Sequence, residues 1–219
     1  MATDFKLVAQ AVIEADGAQV RALTQRAVGE GVAAEQILSE GLIAGMDVIG
    51  EQFRAGEVFV PEVLLSARAM QEGLKVLRPV LAETGAQPKG TAVVGTIQGD
   101  RHDIGKNLVA MMLEGAGFRV IDLGNDVPID RFVATAAAEQ AEVVGISTLL
   151  TTTMPRMRKV AEAFAEAKLR EKVRLMVGGA PITRDFAEQI GVDGYGGDAR
   201  AAVTLAESFV AQLRRGTRG

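Results

Sequence analysis

The sequence predicts an all-α helical bundle followed by an α/β domain with a doubly wound parallel sheet. Apolar residues recur at helical spacing over residues 1 to about 85, whereas from Thr91 short β-branched runs alternate with amphipathic helices. A segment rich in small residues, with Pro and Gly, lies between these patterns at positions 84–90 and is the best linker candidate. We therefore expect one domain at residues 1–89 and a second at residues 90–219.

Four helices are expected in the first half. The first two carry apolar residues three and four positions apart, and the third is predicted to cover residues 34–53, with Gly56 in the turn that follows. Pro61 suits the first turn of a fourth helix that runs to about Leu81, because its fixed φ and missing N–H are tolerated there. The first half is thus predicted to be a four-helix domain.

The second half predicts strands that are almost continuously apolar and are separated by helices. This pattern is typical of a parallel sheet covered on both faces, as in Rossmann and flavodoxin-like folds. The predicted strands are 91–97, 118–123, 143–149, 173–177 and a weaker 193–195. The predicted helices are 104–115, 129–141, 154–168, 184–190 and 199–213.

Composition excludes several classes of function. The 24 basic and 28 acidic residues give a net charge of −4 with interspersed signs, which argues against a nucleic-acid surface or a polybasic membrane patch. The absence of Cys excludes disulfides, thiolate metal sites, iron–sulfur clusters and cysteine nucleophiles. No apolar run approaches the ~18 residues of a membrane span, and the N-terminus lacks a signal-peptide pattern. We expect a cytoplasmic protein without nucleic-acid or membrane partners.

The single histidine, His102, directly follows the first predicted strand. Ligands of parallel sheets bind beyond the carboxyl ends of the strands, and Ser147 and the pair Gly178–Gly179 are also predicted to lie there. A protein-built zinc site needs three or four His, Cys or carboxylate donors. A macrocycle with four equatorial nitrogens needs only one axial ligand, as in haem or corrin binding. Composition alone does not choose between haem and corrin.

The residues around His102 suit a ligand-binding role. Asp100 can accept a hydrogen bond from the imidazole nitrogen that faces away from a metal, which fixes the tautomer. Gly99 and Gly105 let the backbone bend and let a planar ligand approach closely. Asp103 suits the N-cap of the helix predicted to begin at Ile104.

The motifs in this chain resemble those of cobalamin-binding domains. Gly99-Asp100-Arg101-His102-Asp103-Ile104-Gly105 resembles the DxHxxG signature, Ser147-Thr148-Leu149 the SxL element and Gly178-Gly179 the GG element. In the first half, residues 50–57 and 60–63 are similar to the helical cap of methionine synthase. The same layout occurs in the small corrinoid proteins of methyltransferase systems that use methylamines, methanol, glycine betaine or aryl methyl ethers. The resemblance covers nearly the whole chain.

This resemblance implies cobalamin as the cofactor, carried as methylcobalamin with cobalt alternating between Co(I) and Co(III). In the family the benzimidazole of the cofactor leaves cobalt, so His102 is implied as the metal ligand in a base-off/His-on arrangement. Asp100 is implied as the hydrogen-bonding partner of His102, and Thr153 as the hydroxyl that completes the relay, where methionine synthase has serine. The other motif residues implied to bind the cofactor are Arg101, Asp103, Ile104 and Gly105.

The resemblance also implies three further contact regions. The residues implied for the slot of the displaced nucleotide tail are Ser147, Leu149, Thr151, Gly178 and Gly179. Gly124 and Val127 are implied for a loop beside the lower face of the ring. Phe53, Val60 and Val63 are implied for the upper face, beneath the helical cap; the competing interpretation for these three is ordinary packing within the helices.

The implied function is that of a non-catalytic methyl carrier in one-carbon metabolism. Such a protein shuttles a methyl group between a substrate-specific methyltransferase and a second methyltransferase, and a reductive activase is a further expected partner. The main alternative is a cobalamin-dependent sensor or regulator, although we expect that class to carry an added DNA-binding segment. The methyl-type cap argues against the small subunit of an adenosylcobalamin mutase. A nucleotide-binding domain lacks support, since neither GxGxxG nor a P-loop occurs.

Overall fold

The protein consists of two compact units, seen in a computed structural model that describes residues 4–84 and 88–216. The first unit extends to Pro88 and takes in Gly115–Gly117, and the second contains the remaining residues from Lys89 onward. Positions 85–87 of the predicted linker lie outside the described residues. No helix in the described parts of the chain is both long enough and apolar enough to cross a membrane.

The first unit is helical, as the sequence predicts. Its elements are α1 (Phe5–Ile13), α2 (Gly17–Gly29), α3 (Ala34–Gln36), a π-helical segment (Ile37–Ile43), α4 (Ala44–Ala55) and α5 (Val60–Thr84). Asp4 and Asp16 cap α1 and α2 by accepting hydrogen bonds from backbone amides of the first turn. The predicted third helix is therefore three consecutive helical segments, which end at Gly56 in the left-handed conformation.

The helices of this unit pack closely. α2 lies along α5, and α1 contacts α4. A Cβ at Gly45 would lie 2.7 Å from the carbonyl oxygen of Ala9, so only glycine permits the observed approach of α4 to α1. The interior of the unit includes Val8, Ile37, Leu42 and Leu77, none of which exposes any surface.

Thr24 of α2 is fully buried, and its hydroxyl has no hydrogen-bond partner. Burying an unpaired hydroxyl costs about 1–3 kcal/mol, so its removal should stabilise the fold. We expect Thr24→Val, which keeps the branched shape, to raise the free energy of unfolding of the apoprotein by about 1 kcal/mol in urea denaturation. Thr24→Ser is the control, since it keeps the hydroxyl and loses a methyl group. A Thr24→Val variant that is less stable than the unmodified protein would contradict the assignment of an unpaired hydroxyl to Thr24.

The second unit has a five-stranded sheet in the order β2-β1-β3-β4-β5, and all neighbouring strands are parallel. This is the order of flavodoxin-like sheets, in which ligands bind where the order reverses, between β1 and β3. The strands are β1 (Thr91–Thr96), β2 (Arg119–Asp122), β3 (Val143–Ser147), β4 (Arg174–Gly178) and β5 (Gly194–Gly196). The predicted fold class is confirmed.

The helices of the second unit follow the predicted order. They are α6 (Ile104–Gly115), α7 (Ile129–Ala138), α8 (Met154–Met157), α9 (Val160–Glu166), α10 (Arg184–Gln189) and α11 (Ala199–Gly216). A 3-10 turn at Thr151–Thr153 precedes α8. Part of the core packs around the fully buried side chains of Phe132, Phe164 and Leu175.

Several helices of the second unit differ from their predicted bounds: α10 ends one residue early and α11 ends three residues late, whereas two others differ for a local reason. The predicted helix 129–141 ends at Ala138 because Gln140 takes a left-handed φ of 50° and the Ala141 amide bonds to the Ala136 carbonyl. The predicted helix 154–168 is divided into α8 and α9. In both places local backbone geometry, which apolar spacing does not encode, sets the helix boundary.

Candidate functional site

The loops after β1 and β3 meet at the carboxyl edge of the sheet, at the point where the strand order reverses. Asp100 lies in the β1 loop and exposes no surface, while two residues later the side chain of His102 is 55% exposed. A buried carboxylate thus lies directly beneath a solvent-facing imidazole. The sequence predicted both residues for one site, and the structure brings them into contact.

Both carboxylate oxygens of Asp100 accept several hydrogen bonds. Oδ1 accepts from the backbone amide of His102 at 2.9 Å and lies 2.7 Å from the ring Nδ1 of the same residue. Oδ2 accepts from the Thr148 hydroxyl at 2.8 Å, the Leu149 amide at 2.6 Å and the Leu150 amide at 3.1 Å. Asp100 therefore ties the His102 loop to the loop that follows β3.

These contacts determine the protonation state of Asp100. Burial by itself would raise the pKa of the carboxyl group, but the amides of His102 and Leu149, the Thr148 hydroxyl and the His102 ring donate hydrogen bonds that outweigh burial. The net result is a pKa of Asp100 well below its usual value. The carboxylate is therefore an acceptor, Nδ1 of His102 carries the proton, and in the neutral ring Nε2 keeps a lone pair that can ligate a metal.

The hydroxyl that contacts Asp100 belongs to Thr148. The sequence resemblance assigned the hydroxyl of the relay to Thr153, which is buried and hydrogen-bonds to Thr148 Oγ1 and to the Leu150 carbonyl. Thr148 thus lies between Thr153 and Asp100, a role that the sequence reasoning missed. The available signal was its position: Thr148 is the middle residue of the SxL element and directly follows β3.

The glycine pair at the end of β4 has a packing reason of its own. Gly179 has a φ of +119°, and a Cβ there would lie 1.8 Å from the carbonyl oxygen of Thr148. A Cβ at Gly178 would lie 2.7 Å from the carbonyl oxygen of Gly196. Backbone alone fits at both positions, so the pair supports the Thr148 loop whatever binds beside it.

Gly105, in the first turn of α6, is different. A Cβ there would meet no atom within 4 Å, and the φ of this residue is not in the left-handed region. Protein packing therefore gives no reason for a glycine at this exposed position. Open space at this motif position suits a bulky ligand that approaches the backbone closely.

The surface beside His102 is partly apolar. Ile104 is 71% exposed and Leu149 is 47% exposed, although both are large hydrophobic side chains. Arg101 is exposed as well. The Asp103 carboxylate, predicted to cap α6, instead accepts a hydrogen bond from Asn125 at 3.1 Å, while the Asp103 carbonyl accepts from the Asn107 amide in α6. Asp103 thereby links the motif loop to the loop that follows β2.

The other residues predicted for the second unit lie at or near the same edge of the sheet. Gly124 has a left-handed φ of 82°, and Thr151 is exposed in the 3-10 turn. Val127 exposes no surface, and its amide bonds to the Thr96 carbonyl. The Ser147 hydroxyl lies 3.0 Å from that of Thr96. Val127 thus packs in the interior of this unit, beneath the loops that form the surface.

The three residues predicted for the upper face lie in the helical unit. Phe53 and Val60 are half-buried, whereas Val63 exposes no surface and packs in the interior. Phe59, which the sequence reasoning did not select, is 66% exposed. The assignment of Phe53, Val60 and Val63 to a ligand face stays a prediction.

The residues present fit a corrin-type macrocycle. Such a ring brings its own equatorial nitrogens, so it needs one axial donor, and His102 Nε2 is a donor already oriented by Asp100. Exposed Ile104 and Leu149 offer apolar cover for the ring, and Gly105 allows the ring to approach the backbone. Among the described residues no group of three or more His, Cys, Asp or Glu side chains could hold a metal ion by itself.

Comparison with known proteins gives the family. A family model described as a B12 binding domain matches residues 90–204, and a second model with the same description matches residues 5–78. The chain is 43% identical to a trimethylamine corrinoid protein of Methanosarcina barkeri, covering 89% of this chain and 90% of the relative. It is 41% identical to a corrinoid protein of Desulfitobacterium hafniense (strain Y51), covering 92% and 94%.

A solved structure agrees with these sequence relatives. The chain superimposes with a TM-score of 0.84 and 32% identity on a chain of the methanol:cobalamin methyltransferase complex from Methanosarcina barkeri, covering 94% of this chain and 79% of the other. Both units of the chain match B12-binding models, and the relatives match along nearly their whole length. The chain therefore belongs to the family of cobalamin-binding corrinoid proteins of methyltransferase systems.

Proposed function

We propose that this corrinoid protein carries a methyl group on cobalamin that is held base-off, with His102 as the lower axial ligand. The observation that supports this most directly is the 2.7 Å contact between Asp100 Oδ1 and His102 Nδ1, which directs the Nε2 lone pair away from the carboxylate. Bound cobalamin supplies a cobalt centre that accepts and releases the methyl group. The protein supplies an oriented imidazole ligand and apolar cover for the cofactor.

Asp100 and the two threonines position the imidazole. Asp100 holds the ring and the amide of His102, and Thr148 and Thr153 hold the far oxygen of Asp100 through successive hydroxyls. A histidine that donates to a carboxylate is a more basic ligand, so Asp100 should strengthen ligation by His102. The exposed Ile104 and Leu149 are placed to exclude water from the ligand.

Asp100 would influence both the binding and the release of the imidazole. Its carboxylate is ionised and holds Nδ1 of His102, whether or not Nε2 is a ligand. No step requires Asp100 to attack a substrate.

The partners follow from the class of relatives. We propose a substrate-specific methyltransferase as methyl donor and a second methyltransferase as acceptor, with a reductive activase to restore the reduced cofactor. A methylation assay of the reduced holoprotein with methylamine, methanol, glycine betaine and aryl methyl ether methyltransferases tests this and identifies the donor. If none of these methyltransferases methylates the protein, the carrier role is contradicted. If light cleaves a bound adenosyl form and changes the oligomeric state, the alternative of a cobalamin-dependent sensor or regulator is favoured.

The ligand assignment is tested by electron paramagnetic resonance of the Co(II) form. We expect about one cobalt per chain after reconstitution with hydroxocobalamin, and nitrogen coupling that changes when the protein is labelled with ¹⁵N-histidine. His102 is the only histidine, so this isotope change reports one residue. We expect His102→Ala to change the Co(II) spectrum itself, because it removes the donor atom; the chain then has no histidine to carry the label.

Lys172→Ala is the control, since it changes an exposed residue just before β4, at the opposite edge of the sheet, and leaves the motif loop unchanged. It should keep the isotope-sensitive coupling. Coupling in the unmodified protein that does not respond to the label would show that the benzimidazole stays on cobalt. That result would refute the base-off/His-on arrangement.

A further inference from the structure

His102 is held by a second group of contacts, on its backbone carbonyl. The Thr96 hydroxyl, at the last residue of β1, donates a hydrogen bond of 3.1 Å to the His102 carbonyl oxygen. Ser147 Oγ, at the last residue of β3, lies 3.0 Å from Thr96 Oγ1. These three groups link the His102 backbone to the ends of two adjacent strands, independently of Asp100.

The direction of these hydrogen bonds follows from the number of hydroxyl protons. A hydroxyl has one proton, and Thr96 uses it on the His102 carbonyl, which can only accept. Ser147 must therefore donate to Thr96. Successive hydroxyl bonds of this kind polarise one another, and Thr96 exposes no surface, so water does not compete for its bond.

The position of Thr96 allows this hydrogen bond to restrict the backbone of His102. Five residues separate Thr96 from His102, and among them Gly99 has a left-handed φ of 91°. α6 begins at Ile104, two residues after His102. The bond from Thr96 thus fixes the carbonyl side of His102 between a bent loop and a helix, while Asp100 fixes its amide and its ring.

We propose that Thr96 is a positioning residue for His102, supported by Ser147, and that it limits the orientations of the imidazole before the cofactor binds. The proposal rests on the proposed role of His102 as axial ligand. Thr96 exposes no surface, and its hydroxyl bonds to the His102 carbonyl, so it would act through the backbone of His102. Its effect should therefore appear in the ligand geometry as well as in stability.

The test compares three variants in the same strand. Thr96→Val removes the hydroxyl and keeps the branched shape, Thr96→Ser keeps the hydroxyl, and Thr91→Val makes the same change at the opposite end of β1. We expect Thr96→Val to lower the equilibrium constant for His102 ligation by about three- to tenfold, as expected for one lost hydrogen bond. The readout is the fraction of Co(II) signal with ¹⁵N-histidine-sensitive coupling. Thr96→Ser should restore it, and Thr91→Val should match the unmodified protein.

A second readout uses the apoprotein. With one histidine in the chain, ¹⁵N NMR of the labelled imidazole needs no further assignment. We expect Thr96→Val to shift or broaden the Nδ1 and Nε2 signals, and Thr96→Ser to preserve them. Ser147→Ala should change the signals in the same direction by a smaller amount, and it provides the test if Thr96→Val fails to fold.

The outcomes separate this proposal from the proposed function. If the unmodified protein shows no isotope-sensitive coupling, ligation by His102 is refuted. Intact coupling there, with Thr96→Val and Ser147→Ala unchanged in both readouts, would overturn the positioning role alone. An equal loss in Thr91→Val would overturn it too, since the effect would then come from weakening β1.

Discussion

Gly179→Ala is expected to lower the free energy of unfolding of the apoprotein by more than about 3 kcal/mol, because no small adjustment makes room for the new side chain. The Cβ would lie 1.8 Å from the Thr148 carbonyl oxygen and 3.1 Å from the Thr148 amide nitrogen, on a residue whose φ is +119°. The obstacle is backbone, so a rotamer change cannot relieve it. Urea denaturation followed by circular dichroism measures the loss.

Gly105→Ala is the matched control, since it makes the same substitution in the motif of the same site. A Cβ at Gly105 meets no atom within 4 Å and lies in the first turn of α6, so stability should change by less than about 1 kcal/mol. Cobalamin affinity should nevertheless fall, because the new methyl group occupies open space at a motif position where the cofactor is proposed to approach the backbone. Equal stability of the two alanine variants would show that the glycine pair does not support the Thr148 loop.

Asp100→Asn is expected to lower the free energy of unfolding of the apoprotein by about 3 kcal/mol at pH 7. The carboxylate accepts hydrogen bonds at both oxygens, two from His102 and three from the loop after β3. An amide NH₂ group in place of one oxygen would face N–H or O–H donors, so buried donors would lose their acceptor. Charge-assisted bonds are lost as well.

The destabilisation should depend on pH in a definite direction. The pKa of Asp100 is held below its unfolded value of about 3.9, so the ionised group stabilises the folded protein fully above that pH. Its contribution is lost as the pH falls from about 4 toward the lower folded pKa. The stability difference between the unmodified protein and Asp100→Asn should therefore be largest near neutrality and shrink below about pH 4.

Asp103→Asn is the control for both results. Its carboxylate belongs to the same motif but is only half-buried and accepts one side-chain hydrogen bond, from Asn125. We expect Asp103→Asn to lower the free energy of unfolding by less than about 1 kcal/mol. A stability difference for Asp100→Asn that is the same at pH 3.5 and at pH 7 would show that the charge of Asp100 does not stabilise the fold.

The sequence by itself determined the fold class and the family, and it pointed to His102 as the candidate ligand. Helical spacing in one half and buried strands alternating with helices in the other report directly on which faces are covered, so they predict secondary structure and layers. The motifs around His102, Ser147 and Gly178 are short and contiguous, and each lies at or just after the carboxyl end of a strand. Because parallel strands end at one edge of a sheet, their proximity follows from the topology alone.

Only the tertiary structure decided which hydroxyl reaches Asp100 and which apolar residues reach the surface. Thr148 and Thr153 are both buried threonines in one loop, and the choice between them depends on side-chain direction relative to a carboxylate 48 residues away in the chain. Likewise Val63 is buried while Phe59 is exposed, although both have the apolar character predicted for a ligand face. Such outcomes arise from packing between segments distant in sequence, and local periodicity carries no information about that packing.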